Sequence, residues 1–315
     1  MNPQRALVAR SSAMRRLLAK IRRYAPAEAN VLITGETGVG KDLIAETLHD
    51  VGPRRQHPFF KIDCASMPPS LMEAELFGFE RGAFTDAATQ KAGRFELAGR
   101  GTVYLDGVNE LPLDLQAKLL RVVEDKRLER LGGVAVLEVH ARIVASAGDG
   151  LEQAVKEGTF RDDLYHRLRV LPLHVPALRE RQADILPLAR RFLADACARA
   201  GRERLKLATD ACDALVRHAW PGNVRELKHV VERALLDGDP TAREIRAADL
   251  PVEVFELPGA YLGSSTATRP TLEELERRYI DLVLRDTRGN QTEAARVLGI
   301  SRKALWEKRK RYGLA

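Results

Sequence analysis

Residues 35–42 read Gly-Glu-Thr-Gly-Val-Gly-Lys-Asp, and this stretch decides the fold. A strand-like apolar run, residues 30–34, precedes it, and a helical pattern, residues 43–49, follows it. This order is typical of a P-loop, whose backbone N–H groups surround a β-phosphate while the lysine reaches the β- and γ-phosphates. A glycine-rich turn without a ligand is the alternative. We predict an ATP site formed by Gly35, Glu36, Thr37, Gly38, Val39, Gly40, Lys41 and Asp42.

Two residues depart from what this motif needs for hydrolysis. A Ser or Thr that holds Mg²⁺ normally follows the lysine, and Asp42 stands there instead. Residues 103–110 read Val-Tyr-Leu-Asp-Gly-Val-Asn-Glu, an apolar run that ends in a carboxylate. Because Asp42 replaces the Ser or Thr, we predict that Asp106 provides more of the Mg²⁺ coordination. An ATPase usually has a second acid directly after this aspartate, but Gly107 occupies that position, so the chain either hydrolyses ATP in another way or only holds it.

The rest of the chain shows three further patterns. Apolar runs at 31–33, 59–62, 103–105 and 143–145 alternate with helical patterns, which predicts an α/β fold with a parallel sheet covered by helices on both faces. Residues 184–250 look helical throughout, and residues 256–270 are rich in Gly, Pro, Ser and Thr. We predict a nucleotide-binding subdomain at 1–175, a helical subdomain at 176–250, a linker at 251–270 and an all-α domain at 271–315.

Composition limits the class of protein. The net charge of +7 and the pI near 9.4 suggest a polyanionic partner. The apolar runs are shorter than the ~20 residues that a membrane helix needs, and the N-terminus lacks an apolar signal core. The cysteines and histidines show no metal or redox spacing. We expect a reduced cytoplasmic protein with no membrane partner and no metal other than a nucleotide's Mg²⁺.

Residues 290–314 have the pattern of a helix-turn-helix. Gly299 turns the chain, Ser301 can cap the second helix, and residues 296–315 hold seven Lys or Arg against one acid. The alternative is a basic helical hairpin that does not enter a DNA groove. We predict that the second helix enters a DNA major groove, with Arg302 and Lys303 nearest the bases. The residues expected on phosphates are Lys308, Lys310 and Arg311. The helix at 272–284 is expected to pair with its twin in a dimer.

Residues 8–250 resemble the AAA+ domain of bacterial enhancer-binding proteins, the activators that remodel RNA polymerase carrying sigma-54. The resemblance rests on GETGVGKD, ELFGFERGAFTDA (75–87), GRFELA (93–98), LPLDLQAKLLRVVE (111–124), FRDDLYHRL (160–168), LRERQADI (178–185) and WPGNVREL (220–227). The C-terminal module resembles the Fis-type helix-turn-helix that ends most members. The family implies that 176–250 is an AAA+ lid, that Arg225 is its sensor arginine, and that Arg161 and Arg167 are arginine fingers for a neighbour's nucleotide. It also implies that Phe84 and Thr85 contact the sigma factor.

Four positions differ from the family pattern. The family has Asp-Glu where this chain has Asp106-Gly107, Asn where it has Asp63, and Thr-Asn where it has Ala147-Gly148. The sigma-contacting loop has Asp86 in place of a glycine. The first three positions belong to hydrolysis, in which a positioned base contributes roughly 10²- to 10⁴-fold in rate. We therefore expect ATP binding with weak or absent hydrolysis.

Two hypotheses follow. The first is a DNA-binding regulator that binds ATP to control assembly, as a dimer or a hexameric ring, and acts with RNA polymerase carrying sigma-54 or the main sigma factor, or as a repressor. The second is a ring ATPase at sigma-54 promoters, with Asp63 as the substitute base. Glu110 suits the role of base less, because the three residues between it and Asp106 should carry it away from the γ-phosphate. A nucleotide kinase is disfavoured by the DNA module. Because no receiver domain fits before residue 8, we expect regulation by a partner, a ligand or expression level.

Overall fold

The computed structural model describes most of the chain, in two compact units at residues 1–254 and 255–315. The described residues are 7–84, 87, 89–239, 242–251, 254, 271, 273, 276–277, 279–280, 283–284, 287 and 290–312. The predicted linker therefore lies almost entirely outside the described residues, as do Leu272, Leu275 and Leu282 of the helix expected to pair with its twin. That pairing and the predicted domain boundaries stay predictions.

The first unit contains eleven strands among its described residues. They are β1 (Val31–Thr34), β2 (Phe59–Asp63), β3 (Gly78–Phe79), β4 (Lys91–Ala92), β5 (Thr102–Asp106), β6 (Arg127–Glu129), β7 (Val136–Glu138), β8 (Arg142–Ala147), β9 (Leu171–His174), β10 (Lys206–Leu207) and β11 (Glu244–Ile245). Five of them form a parallel sheet in the order β2-β5-β8-β1-β9, which confirms the predicted α/β fold. The edge strand β9 was not predicted.

Helices cover both faces of this sheet. They are α1 (Ser12–Tyr24), α2 (Lys41–Asp50), α3 (Pro69–Phe77), α4 (Arg94–Leu97), α5 (Leu113–Asp125), α6 (Leu151–Lys156) and α7 (Asp162–Leu168). Because strand side chains alternate between faces, Val31 and Ile33 pack with residues of α1 and α2, whereas Leu32 packs with residues of α3, α5 and α7. The carboxyl ends of the parallel strands thus lie at one edge, where β1 leads into the glycine-rich loop.

The helical subdomain consists of α8 (Ile185–Arg199), α9 (Thr209–Arg217) and α10 (Asn223–Asp237), packed around the fully buried Trp220. The expectation that residues 184–250 are helical throughout was wrong in one detail, because the short strands β10 and β11 pair in parallel. A 3-10 segment, Leu178–Asp184, leads into α8. In it the buried Asp184 carboxylate accepts hydrogen bonds from the backbone N–H and the hydroxyl of Ser11. These contacts fasten the start of α1 to the helical subdomain.

The second unit contains the predicted helix-turn-helix, with α11 (Gln291–Val297) and α12 (Arg302–Tyr312). Asn290 caps α11 through hydrogen bonds from the backbone N–H groups of Thr292 and Glu293, and Ser301 accepts one from the N–H of Ala304 at the start of α12. Gly299 turns the chain at φ +66°. The small core contains Ile280, Val283, Leu284, Ala294, Ala295 and Leu305.

Candidate functional site

The loop between β1 and α2 has the backbone that a phosphate cradle requires. Gly35, Gly38 and Gly40 have φ values of +145°, +80° and +98°. Residues other than glycine rarely adopt this backbone conformation. A Cβ on Gly35 would lie 2.6 Å from the carbonyl oxygen of Val175, and one on Gly38 would lie 2.3 Å from that of Gly222. Gly35 and Gly38 are therefore fixed by both conformation and space, and Gly40 by conformation.

Lys41 lies across this loop. Its Nζ donates to the carbonyl oxygens of Gly35 and Glu36 at 2.8 and 3.1 Å. Burial holds the pKa of Lys41 below its usual value, although Asp106 and Asp149 act in the opposite direction. A partly buried ammonium at the start of a helix is suited to bind an anion.

The lid holds the loop from the other side. The backbone N–H groups of Val224 and Arg225, at the start of α10, both donate to the carbonyl oxygen of Gly38, at 3.0 and 3.2 Å. The fully buried side chain of Asn223 donates from Nδ2 to Glu36 Oε2 at 2.9 Å and accepts the N–H of Leu178 at 2.8 Å. The WPGNVREL motif therefore ties the lid to the P-loop.

Glu36 takes part in this tie through its side chain. Arg179 donates two hydrogen bonds to its carboxylate, one of them at 2.8 Å. Hydrogen bonds from Arg179 and then Asn223 outweigh partial burial and hold the pKa of Glu36 at about 2. The carboxylate is thus occupied by the lid, and only the backbone of Glu36 is left for the predicted nucleotide contact. Arg225 and Thr37 line an adjacent cavity of about 390 Å³.

Asp106 ends β5 within a network that the sequence did not reveal. Its Oδ1 accepts from the hydroxyl of the buried Ser146 at 2.7 Å, and its Oδ2 lies 3.0 Å from the Nζ of Lys61. Burial raises the pKa of Asp106, but the hydrogen bonds from Ser146 and Lys61 outweigh it and the pKa is lowered. Ser146 also accepts the N–H of Gly107 at 3.1 Å, so it fixes the carboxylate and the following turn together.

Asp42 belongs to the same network. Its Oδ2 lies 2.5 Å from the Nζ of Lys61, and its Oδ1 lies 3.0 Å from the hydroxyl of Tyr104, which also lies 3.1 Å from Asp106 Oδ1. Each of the four carboxylate oxygens therefore already meets a protein donor. Among the described residues, no group of three or more His, Cys, Asp or Glu could hold a metal ion. A Mg²⁺ ion between Asp42 and Asp106 would have to displace Lys61, and the expected metal role of Asp106 stays a prediction.

The position after Asp106 offers no base for hydrolysis. Gly107 has φ +76° and ψ +49°, and a Cβ there would meet only Glu110 Cγ, at 3.7 Å. The 3-10 turn Val108–Glu110 places Glu110 beside Gly107, and the expectation that Glu110 lies away from the γ-phosphate stays a prediction. Asp63 is exposed and accepts the N–H of Ala65 at 3.0 Å. Burial, with Asp106, Asp63 and Glu110 nearby, raises the pKa of Cys64 to about 12.

The position of the family's first sensor directly follows Ser146 at the end of β8, and the predicted fingers lie at the start of α7 and within it. β8 ends at Ala147, and nothing lies within 4 Å of the place where a Cβ on Gly148 would be. Arg161 is paired with Asp163, from Nη2 to Oδ2 at 2.7 Å, and Arg167 with Glu124 at 2.6 Å. Both arginines are exposed, so their predicted action on a neighbour's nucleotide stays a prediction.

The predicted sigma-contacting loop is described in part. Phe84 is exposed, and its ring meets that of Phe79 with centroids 4.8 Å apart. Thr85 and Asp86 lie outside the described residues. The exposed ring leaves Phe84 accessible for the contact that the sequence predicts.

Two of the basic side chains predicted to touch phosphates are held within the second unit. Lys308 pairs with Glu276 at 2.6 Å, and Arg311 pairs with Glu273 at 3.1 Å. Arg302 and Lys303 are exposed at the start of α12, and Lys310 lies over the ring of Trp306, 5.5 Å from its centroid. Trp306 is 56% exposed and was not predicted as a site residue. An exposed tryptophan beside basic residues at helical spacing was the available signal.

A P-loop on a parallel sheet, closed by a helical lid, defines an AAA+ nucleotide-binding domain. The chain matches the models for the sigma-54 interaction domain at residues 7–174, the AAA+ ATPase lid domain at 179–260 and the bacterial regulatory protein, Fis family, at 271–312. The chain belongs to the family of sigma-54-dependent transcriptional regulators, the enhancer-binding proteins, as predicted. Among the described residues no helix is long and apolar enough to span a membrane.

Relatives agree with this assignment. The chain is 40% identical to the transcriptional regulatory protein FlbD of Caulobacter vibrioides, over 98% of this chain and 70% of FlbD. It is 41% identical to the nitric oxide reductase transcription regulator NorR2 of Cupriavidus necator, over 98% of this chain but only 63% of NorR2. The crystal structure of NtrX from Brucella abortus in complex with ATP is similar with a TM-score of 0.74 and 36% identity, over 98% of this chain and 70% of NtrX.

Proposed function

We propose that this regulator binds ATP as a stable ligand and hydrolyses it slowly or not at all. The observation that carries the proposal is the absence of a side chain at Gly107, directly after Asp106, on a turn with φ +76°. The methyl group of Ala147 and the hydrogen of Gly148 at the end of β8 supply no polar sensor either. The cradle around Lys41 and the tie between the lid and Gly38 are retained, and they support binding without requiring turnover.

Assembly and DNA binding complete the proposed function. Arg161 and Arg167 are exposed, and a neighbouring subunit's nucleotide would offer these arginines a stronger anion than Asp163 and Glu124. ATP would then control the association of subunits on promoter DNA, in the cytoplasm, with α12 in the major groove. Phe84 would contact the sigma factor of RNA polymerase, with sigma-54 as the partner that the family indicates.

The proposal predicts slow phosphate release by the purified chain. If an enzyme that turns over about once per second loses its positioned base, turnover falls to the order of 10⁻² to 10⁻⁴ per second. Gly107→Glu should raise the rate at least tenfold, because space around a Cβ at this position is open. Gly107→Ala is the matched control, since it has the same backbone strain of ~1 kcal/mol without a carboxylate.

The same phosphate-release assay distinguishes slow hydrolysis from the alternative, an active ring ATPase. Turnover near one per second in the unmodified chain would contradict the proposal. If Asp63→Ala then abolished that turnover, Asp63 would be the substitute base. If Glu110→Ala abolished it instead, the base would be the carboxylate that the 3-10 turn folds over Gly107.

A further inference from the structure

A lysine stands where a divalent cation would bridge the two carboxylates of the site. The Nζ of Lys61 lies 2.5 Å from Asp42 Oδ2 and 3.0 Å from Asp106 Oδ2. The other oxygen of Asp42 meets the hydroxyl of Tyr104, and the other oxygen of Asp106 meets Ser146. Each oxygen of the two carboxylates thus has a protein donor without a metal.

The sheet fixes this lysine in position. Lys61 lies in the middle of β2, in register with Tyr104 on β5, and Asp63 is in register with Asp106. The Nζ also lies 5.9 Å from the centroid of the Tyr104 ring. Burial lowers the pKa of Lys61, but the hydrogen bonds and charges of Asp42 and Asp106 outweigh it, so its pKa is raised and the side chain stays charged.

The charge of Lys61 and its number of N–H donors suit it to bind a phosphate oxygen. Asp42 adds one negative charge to the motif, and Lys61 adds one positive charge beside it. An ammonium has three N–H donors, of which two meet carboxylates, and the side chain is 38% exposed. One donor is therefore left for a phosphate oxygen. Mg²⁺ requires near-octahedral oxygen ligands, and a cation between these carboxylates would have to displace Lys61 against charge repulsion.

We propose that Lys61 is a built-in cation of this site, so that the chain binds ATP or ADP as the metal-free anion, with Lys41 and Lys61 together neutralising the phosphates. The inference rests on the proposed nucleotide binding and goes beyond it, because it assigns the ionic form of the ligand. It also gives Asp42 a function, which is to hold the ammonium beside the loop.

Calorimetric titration of the full chain with ATP, once in excess Mg²⁺ and once in EDTA, tests the proposal. Binding should be at least tenfold tighter in EDTA than in excess Mg²⁺, because Mg²⁺ chelates most of the ATP and leaves little of the metal-free anion. Lys61→Met removes the charge at similar length and should weaken binding in EDTA at least tenfold. Lys118→Met, which removes an exposed lysine on α5 outside the site, should leave both constants unchanged.

A double variant tests the logic in the opposite direction. Asp42→Thr with Lys61→Ala restores the usual motif and should bind ATP at least tenfold more tightly with Mg²⁺ than in EDTA. Binding of the unmodified chain only in Mg²⁺ would overturn the role of Lys61 while leaving nucleotide binding intact, whether or not the variants fold. Absence of binding in both buffers would instead contradict the proposed function.

Discussion

At the scale of single residues, Glu36 connects the loop to the lid. Its carboxylate accepts hydrogen bonds from Arg179 and Asn223, two residues that lie more than 140 positions further along the chain. The pKa of Glu36 is about 2, compared with 4.5 for an unperturbed glutamate. Because the folded state favours the charged form, the ionised carboxylate stabilises the contact between the lid and the loop.

Replacement of Glu36 by Gln should therefore have a pH-dependent cost. Since the folded pKa lies below the unfolded one, the contribution is fully present above pH 4.5 and is lost as the pH falls toward 2. After allowance for solvent screening we expect about 1 kcal/mol less unfolding free energy at pH 7. Urea unfolding of the variant and the unmodified chain at pH 7, 5, 4 and 3 measures this difference in unfolding free energy.

The control for this prediction is Glu203→Gln, which removes an exposed glutamate outside the loop. Its unfolding free energy should stay within about 0.5 kcal/mol of the unmodified chain at every pH. A difference between the Glu36 variant and the unmodified chain that is as large at pH 3 as at pH 7 would contradict the assignment of the pKa shift.

At the scale of secondary-structure elements, α12 divides its basic residues between two tasks. Lys308 and Arg311 are paired with Glu276 and Glu273, so ion pairs hold them within the small second unit. Arg302, Trp306 and Lys310 follow one another at a spacing of four, which places them along one side of the helix, and all three are exposed. This exposed side is the surface that we expect to meet DNA.

The division predicts different outcomes for two similar substitutions. Lys310→Ala should weaken binding to all duplexes alike and reduce the salt slope by roughly one unit of log K per log[salt], as expected for the loss of one phosphate contact. Lys308→Ala, the matched control, should change the slope by less than half as much. Equal slopes for both variants, or a loss of sequence preference alone in Lys310→Ala, would contradict the assignment. Fluorescence anisotropy at several salt concentrations measures both.

The same scale shows how far sequence reasoning reaches. The strands and the P-loop were predictable because hydrophobic alternation and glycine spacing are local signals. The network around Asp106 was not, since Lys61 and Ser146 reach it from neighbouring strands and only the sheet order brings them together. The fold of Glu110 over Gly107 depends on a single 3-10 turn, and the pairing of β10 with β11 joins segments about 40 residues apart. Neither has a local pattern that indicates it.

At the scale of the whole molecule, the first unit joins a nucleotide cradle to a lid, and the second carries the helix-turn-helix. The lid contacts the loop through Gly38 and Glu36, so a phosphate bound beside Lys41 lies next to the segment that joins the two subdomains. A ligand that stays intact would hold this arrangement for as long as it is bound. The regulator would then respond to nucleotide occupancy rather than to cycles of hydrolysis.

The fate of bound ATP in a single turnover tests this account most directly. With the chain in large excess over γ-phosphate-labelled ATP, the label should bind the protein and appear as free phosphate at a rate on the order of 10⁻² per second or slower. Quenched samples taken from one second to one hour give that rate. Complete conversion of the bound label to phosphate within a few seconds would contradict the claim that this site keeps its nucleotide.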